Sequence, residues 1–298
     1  MIVSDIVQYY ILVATSALSI IGSCFIITVG LCFTELRIFY VKIIIYIAIS
    51  DMIRSIGFLI PCNHISNEFL VEVIGIIIDS CFTITISWLT YISITLYQVI
   101  INSEKDYKKY YRHWFIFAFV LLPLLNILPV LTNSHGKSGT LCTLKDNHVA
   151  LIWRYCVMYV PAWIFVLISL IACMKIYLYV RNIDLDYDKQ NILNSLYYYP
   201  VALVIELLPM TVTTIMVNSG FIDGNSIYAV ITLTLYSLNG VTNATIFGLT
   251  LGVRQISRAR YLYSYLSLQE KLCKRNKTAD VDSQNLLYST FSEGNDTK

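Results

Sequence analysis

The sequence predicts an all-α membrane protein. The expected architecture is a seven-transmembrane helix bundle with its N-terminus outside, followed by a cytoplasmic amphipathic helix and a short disordered tail. Three observations carry this. Of 298 residues, 57% are apolar and only 13% charged, where a soluble domain carries roughly a quarter, and the mean hydropathy is +0.65. The apolar residues gather into long unbroken runs, and the basic residues fall on alternate sides of them. A net charge of +2 is too small for a nucleic-acid footprint. A soluble enzyme, a disordered chain and a disulfide scaffold are all disfavoured by these figures.

Seven stretches reach the length of about 20 residues that a bilayer core demands: Val7–Phe33, Ile43–Cys62, Leu70–Ile101, Trp114–Leu131, Arg154–Val180, Asn194–Val217 and Ile227–Leu251. All are too continuous for the alternation of a membrane β-barrel. The first has no basic segment before it and is expected to be a span, not a cleaved leader. Loops after the first, third and fifth spans carry Arg37 and Lys42, then Lys105, Lys108, Lys109 and Arg112, then Lys175, Arg181 and Lys189, and the segment after the seventh carries eight more basic residues. The other side has Lys137, Lys145 and Arg154. The positive-inside rule therefore puts the N-terminus outside. The expected domains are 1–251 for the bundle, 252–273 for a juxtamembrane helix with Ile256, Ala259, Leu262, Tyr263 and Leu266 on one face, and 274–298 for the disordered tail. Cys62 and Cys142 lie at or beyond the outer edge, where disulfides persist, and are expected to pair. Two free thiols are the alternative, since no spacing rule fixes the partner.

Four ionisable residues fall inside spans: Asp51, Arg54, Asp79 and Glu206. A charge at mid-bilayer costs at least about 2.5–3.5 kcal/mol, so these groups should face the bundle and pair. At about 1.5 Å per residue, Arg54, Asp79 and Glu206 come to nearly one level, which predicts an Arg54–Asp79 pair. Asp51, nearer the cytoplasmic mouth, is the candidate switch residue. The cluster reads as the floor of a ligand cavity or a switch between helix arrangements, with a fixed ion pair between spans two and three as the plain alternative. Pro123 and Pro129, Pro161, and Pro200 and Pro209 interrupt spans four, five and six, where each removes a backbone hydrogen bond.

Catalysis has no visible home. The last span has no lysine for a retinal Schiff base. His64, His113, His135 and His148 lie in loops or at span ends, so a buried three-histidine zinc site cannot be assembled. No phosphate-binding glycine loop, His-Glu-x-x-His or Gly-x-Ser-x-Gly is present. No enzyme activity, metal or cofactor is expected. A transporter that uses intramembrane carboxylates is the alternative function, although the two halves show no repeat.

Ser16–Ala17–Leu18–Ser19–Ile20–Ile21–Gly22–Ser23, then Glu35–Leu36–Arg37 and Tyr46–Ile47–Ala48–Ile49–Ser50–Asp51, form an ordered set with later motifs. These are Trp88 with Thr95–Leu96–Tyr97, Tyr159–Val160–Pro161–Ala162–Trp163, Tyr198–Tyr199–Pro200, and Gly240–Val241–Thr242–Asn243–Ala244 with Gly248. Together they resemble the cyclic-AMP-receptor-like family of seven-helix G-protein-coupled receptors. Asp-Arg-Tyr, Cys-Trp-x-Pro and Asn-Pro-x-x-Tyr, the rhodopsin-like signatures, are missing. The chain departs from the family where its span-three cysteine would stand, at Val71, so Cys62 or Cys81 would partner Cys142. The tryptophans flanking the family's outer-loop cysteine are also absent, and Glu206 stands where neutral residues are usual.

The resemblance implies a multi-pass plasma-membrane receptor for an extracellular small molecule, such as an anion of the cyclic-nucleotide kind, acting on a heterotrimeric G protein. Candidate ligand residues are Arg54, Asp79, Glu206, Lys137, Lys145 and Arg154. Candidate switch and coupling residues are Asp51, Asn243, Lys105, Lys108, Lys109 and Arg112. No nucleic-acid partner is expected.

Overall fold

The computed structural model of the chain describes residues 4–32, 39–102, 110–181, 187–224 and 226–249. The helix expected over 252–273, the tail over 274–298, Arg37 and the loop lysines Lys105, Lys108 and Lys109 lie outside the described residues.

Helix α1 (Asp5–Cys32) buries Leu12, Ser16, Ser19, Ser23, Ile26 and Gly30. Their steps of four and three draw one seam down the helix. Leu18, Ile21 and Phe25 on the other side are exposed. Small and polar residues inside, apolar ones outside, is how helices pack when the surroundings are lipid. Helix α2 (Phe39–Leu59) stops ahead of Pro61, whose ring disfavours helix in the residue before it. Helix α3 (Glu68–Ile100) opens on an Asn67 side-chain cap and is buried along most of its length. It packs on α2 and on every later span through the sixth.

The prolines shape α4 and α5. Helix α4 runs as Tyr111–Ile116, a π-helical stretch Phe117–Leu121, then Leu122–Ile127 and a 3₁₀ turn Leu128–Thr132. Pro123 follows the wide turn and Pro129 opens the tight one. Each local change of winding moves the carbonyl that a proline ring would otherwise strike. Helix α5 repeats the device: His148–Trp153, a π-helical Arg154–Tyr159, then Val160–Arg181 just ahead of Pro161. Helix α6 (Tyr187–Asn218) continues through both Pro200 and Pro209. The last apolar stretch, expected as one helix, is two: α7 (Ile227–Ser237) and α8 (Asn239–Leu249), separated at Leu238. Among the described residues, five helical stretches are long and apolar enough to cross a membrane. Helix α2 is also long enough but carries Lys42, Asp51 and Arg54.

Between α4 and α5 the chain forms a hairpin, β1 (His135–Ser138) and β2 (Leu141–Leu144), paired from His135 with Leu144 to Ser138 with Leu141. Gly139 turns it at φ 57°, a left-handed conformation that glycine adopts without strain. The hairpin packs on α3, where a Cβ on Gly75 would stand 3.3 Å from Thr143 Cα.

Helices α1 and α8 meet as closely. Gly240 N donates to Ser19 Oγ at 2.9 Å, and a Cβ on Gly240 would lie 2.6 Å from the Ser19 carbonyl oxygen. Gly240→Ala is therefore expected to cost about 1–3 kcal/mol by overpacking, read as a lowered thermal midpoint of the purified protein. Ser19→Ala should not rescue it, because the obstructing carbonyl is backbone. Full rescue would refute the packing account.

Candidate functional site

Two polar constellations occupy the bundle. The first joins α2, α3 and α8. Asp51, fully buried, accepts a hydrogen bond from Thr85 at 3.0 Å and one from Asn243 at 2.7 Å. Asn243 also donates to Asn239 Oδ1 at 3.0 Å. The break at Leu238 starts α8 at Asn239, four residues before Asn243, so both amides share one face of a new helix. Arg54 lies one turn beyond Asp51, with Nη2 3.5 Å from Asp51 Oδ1 and the guanidinium carbon 4.8 Å from the Tyr236 ring centroid. Its three guanidinium nitrogens have no hydrogen-bond partner among the described residues. Arg54 is thus held by charge and by a ring face. Glu206, buried on α6, lies within electrostatic reach of Arg54 and Asp51, and its Oε1 lacks a hydrogen-bond partner among the described residues.

The second constellation sits under the hairpin. Asp79 accepts from Thr143 Oγ1 of β2 at 3.0 and 3.2 Å. Two adjoining cavities lie here. The deeper, about 100 Å³, includes Asp79, Arg154, Tyr159 and Tyr236 in its wall. The other, about 210 Å³, shares Arg154, Met210 and Thr214 with it and reaches Gln8 and Asn218. Arg154 Nη2 donates to the Leu144 carbonyl and lies 3.4 Å from Asp146 Oδ1. A disulfide between Cys62 and Cys142 fixes the hairpin to the α2–α3 connection. Tyr159 bonds Thr214 at 2.6 Å and Trp163 donates to Thr211 at 3.1 Å, so α5 grips α6 just beyond Pro209.

The sequence placed Arg54 with Asp79, and this is corrected. Arg54 pairs with Asp51 on its own helix, while Asp79 is engaged by the hairpin. Lys137 and Lys145 are also placed elsewhere than expected. Lys137 donates to the Asn63 carbonyl at 3.4 Å, and Lys145 to Asn133 at 2.7 and 3.0 Å. Both fasten loops, and neither lines the two cavities. Of the six candidate ligand residues, Asp79 and Arg154 share a cavity wall. Arg112 is exposed at the start of α4.

His135 was read only as a loop histidine, yet it is buried beneath the hairpin. Its Nε2 is 3.0 Å from the Asn126 carbonyl. A carbonyl only accepts, so Nε2 carries the proton. Nδ1 faces Asp79 at 4.0 Å without a hydrogen bond. Burial lowers the His135 pKa, and it outweighs the Asn126 carbonyl and Glu72, which raise it, while Lys145 adds to the lowering. A lowered value favours the neutral ring in the folded state. Its stabilisation is complete above the ordinary value of about 6.5 and is lost as pH falls through that value toward the lowered one. The thermal midpoint should therefore drop between pH 7.5 and pH 5, and His135→Gln should reduce the drop. An unchanged pH dependence in the variant would assign it to other groups.

No family model matches the chain. Over 262 residues it is 23% identical to "G-protein coupled receptor 1" of Arabidopsis thaliana, covering 82% of this chain and 78% of that protein. It is 22% identical over 243 residues to "Cyclic AMP receptor-like protein A" of Dictyostelium discoideum, covering 80% of this chain and 63% of the other. With "Cyclic AMP receptor-like protein G" of the same organism it shares 25% over 180 residues, 57% of this chain and 33% of that one. The chain is thus similar to a G-protein-coupled receptor and to cyclic-AMP-receptor-like proteins, which supports that receptor family. Its fold is that of squid rhodopsin, with a TM-score of 0.67 at 17% identity over 89% of this chain and 88% of the other. It is a multi-pass membrane protein and a receptor, not an enzyme.

Several motifs that carried the resemblance have physical roles in this receptor. Ser19 and Gly240 close α1 on α8, Asp51 and Asn243 close α2 on α8, and Tyr159 and Trp163 close α5 on α6. Trp88, fully buried, packs against Tyr46, Tyr91 and Phe119 where α2, α3 and α4 meet. Thr85, Asn239 and Thr143 were not foreseen. They are ordinary polar residues whose only signal was their position within or beside an apolar span.

Proposed function

We propose that the chain is a plasma-membrane receptor with seven crossings and its N-terminus outside. It would convert the binding of an extracellular small molecule into nucleotide exchange on a heterotrimeric G protein. On this reading the hairpin end faces outward, as the distribution of basic residues requires, and the ligand enters the cavities beneath the hairpin. The observation that carries the reading is the buried Asp51–Thr85–Asn243 junction with Arg54 beside it. Three helices share one set of charge-assisted hydrogen bonds, and Glu206, on a helix interrupted by Pro200 and Pro209, lies within reach of the same charges. A ligand that bound one helix arrangement more tightly would shift the population toward it, and α6 is the helix with a partner to gain or lose. The G protein would meet the opposite end, through the loop holding Lys105, Lys108, Lys109 and Arg112 and the segment beyond α8.

The test is guanine-nucleotide exchange on a panel of G proteins with the purified chain in lipid, small charged metabolites being added in turn. Exchange above the empty-membrane level that disappears when Lys105, Lys108, Lys109 and Arg112 are neutralised supports coupling. Solute or proton flux across the same vesicles, with no exchange, would turn the reading to a transporter.

A further inference from the structure

The paired cavities under the hairpin have a charge pattern that restricts what they can hold. Asp79 and Arg154 both line the deeper one, but they do not form an ion pair with each other. Arg154 turns its Nη2 to the Leu144 carbonyl and Asp146, and Asp79 takes its hydrogen bonds from Thr143. Opposite charges therefore line one partly open cavity without being paired to each other. Phe58, Met158 and Tyr236 complete its apolar wall.

A simple anion would answer Arg154 but be brought against the Asp79 carboxylate in a site of low dielectric, where like charges repel strongly. A simple amine would meet the converse problem at Arg154. The volumes, about 100 and 210 Å³, lie at the small end of ligand sites. We propose that this cavity binds a small zwitterion of amino-acid size, its ammonium group at Asp79, its acid group at Arg154 and its side chain on the Tyr236 wall. The proposal rests on the receptor reading for its consequence but not for its test. It also narrows the class of ligand: a cyclic nucleotide, with an acid group and no cationic one, leaves Asp79 unanswered.

Binding is read on the purified full chain in detergent, without G protein, as the shift of its thermal midpoint by added ligand. The probes are the common free amino acids, the amine and the carboxylic acid left when each loses one charged group, and adenosine 3′,5′-cyclic monophosphate. The expected result is a rise with one or a few amino acids and none with their amines, their acids or the nucleotide. Asp79→Asn and Arg154→Gln should each weaken that binding about thirtyfold or more, as loss of one partner in a desolvated charge pair does. Met210→Trp, which leaves both charges in place and fills the shared wall, should abolish the shift in a chain that still unfolds cooperatively, so a folding defect in either charge variant does not decide the matter. A rise with amines alone, with acids alone or with the cyclic nucleotide overturns the proposal, and so does no rise with any probe. Exchange is measured separately. Amino-acid binding without exchange would count against G-protein coupling and leave the site intact, whereas exchange driven by a ligand of a single charge would sink the zwitterion and keep the receptor.

Discussion

Asp51→Ala is expected to lower the stability of the receptor by about 3–5 kcal/mol, enough to remove most of the folded protein from the membrane. The figure is that for stripping one partner from a buried ion pair, and the geometry says why it applies here. Asp51 is the anion beside Arg54, at 3.5 Å, and the guanidinium makes no hydrogen bond to a described residue, with Glu206 the more distant carboxylate within its electrostatic reach. Without Asp51 the cation keeps the Tyr236 ring face, worth about 0.5–2 kcal/mol, against a burial cost of several. The amide of Asn243 and the hydroxyl of Thr85 lose an acceptor at the same time. Arg54→Met on its own should hurt less, because Asp51 retains both of those donors. The decisive comparison is the double variant, Asp51→Asn with Arg54→Met. It removes both charges but leaves an amide oxygen for Thr85 and Asn243, and a buried pair replaced by groups of similar volume is often neutral or better. Its thermal midpoint should recover well above that of Asp51→Ala. If the double variant is as unstable as the sum of the single losses, the two residues are not energetically coupled and the ion-pair account is wrong.

That same pair marks where sequence reasoning was sound and where it failed. Hydropathy located the apolar spans because it answers to the bilayer alone, and the cost of buried charge correctly required Arg54 to have a partner. Choosing Asp79 rested on depth counted at a uniform rise in straight helices of equal reach. Helix α3 is 33 residues long, more than a bilayer core needs, and Asp79 lies far enough toward its start to meet the hairpin instead. Asp51 and Arg54 are three apart on one helix, and both turn into the bundle. The hairpin was read only as a charged loop. Nothing local in its sequence says that it folds back into the bundle mouth, though Ser138–Gly139 between short β-prone runs was an available turn signal. Sequence alone says only that the prolines interrupt their spans. In α4 and α5 they are absorbed by changes of winding around Pro123, Pro129 and Pro161, and α6 passes through both of its own.

Cys142→Ser is expected to lose about 4–5 kcal/mol, the chain-entropy value for releasing a closure of 80 residues, and to lose ligand response more completely than it loses fold. The second effect follows from what the cystine holds. Cys142 stands on β2 beside Thr143, the residue that engages Asp79, and across the strand pair from Lys137. Cys62, Val71 and Cys142 form a small buried cluster where the α2–α3 connection, α3 and the hairpin converge. Val71 occupies the place where the resemblance called for a cysteine, and it packs against the disulfide that is there. Freed from Cys62, the hairpin keeps its packing on α3 and its hydrogen bonds to Asp79, the Asn126 carbonyl, Arg154 and the Asn63 carbonyl, each worth about 0.5–1.5 kcal/mol or somewhat more where charge assists. These would have to hold four residues of strand in place above a cavity, against the entropy of ordering them. Cys81→Ser is the control: Cys81 is buried but free, and its loss should move the thermal midpoint by far less. Reductant should bring the native receptor to the midpoint of Cys142→Ser and leave that variant where it was. If reductant shifts both equally, the stabilisation comes from elsewhere and the hairpin is held by its packing and hydrogen bonds without the disulfide.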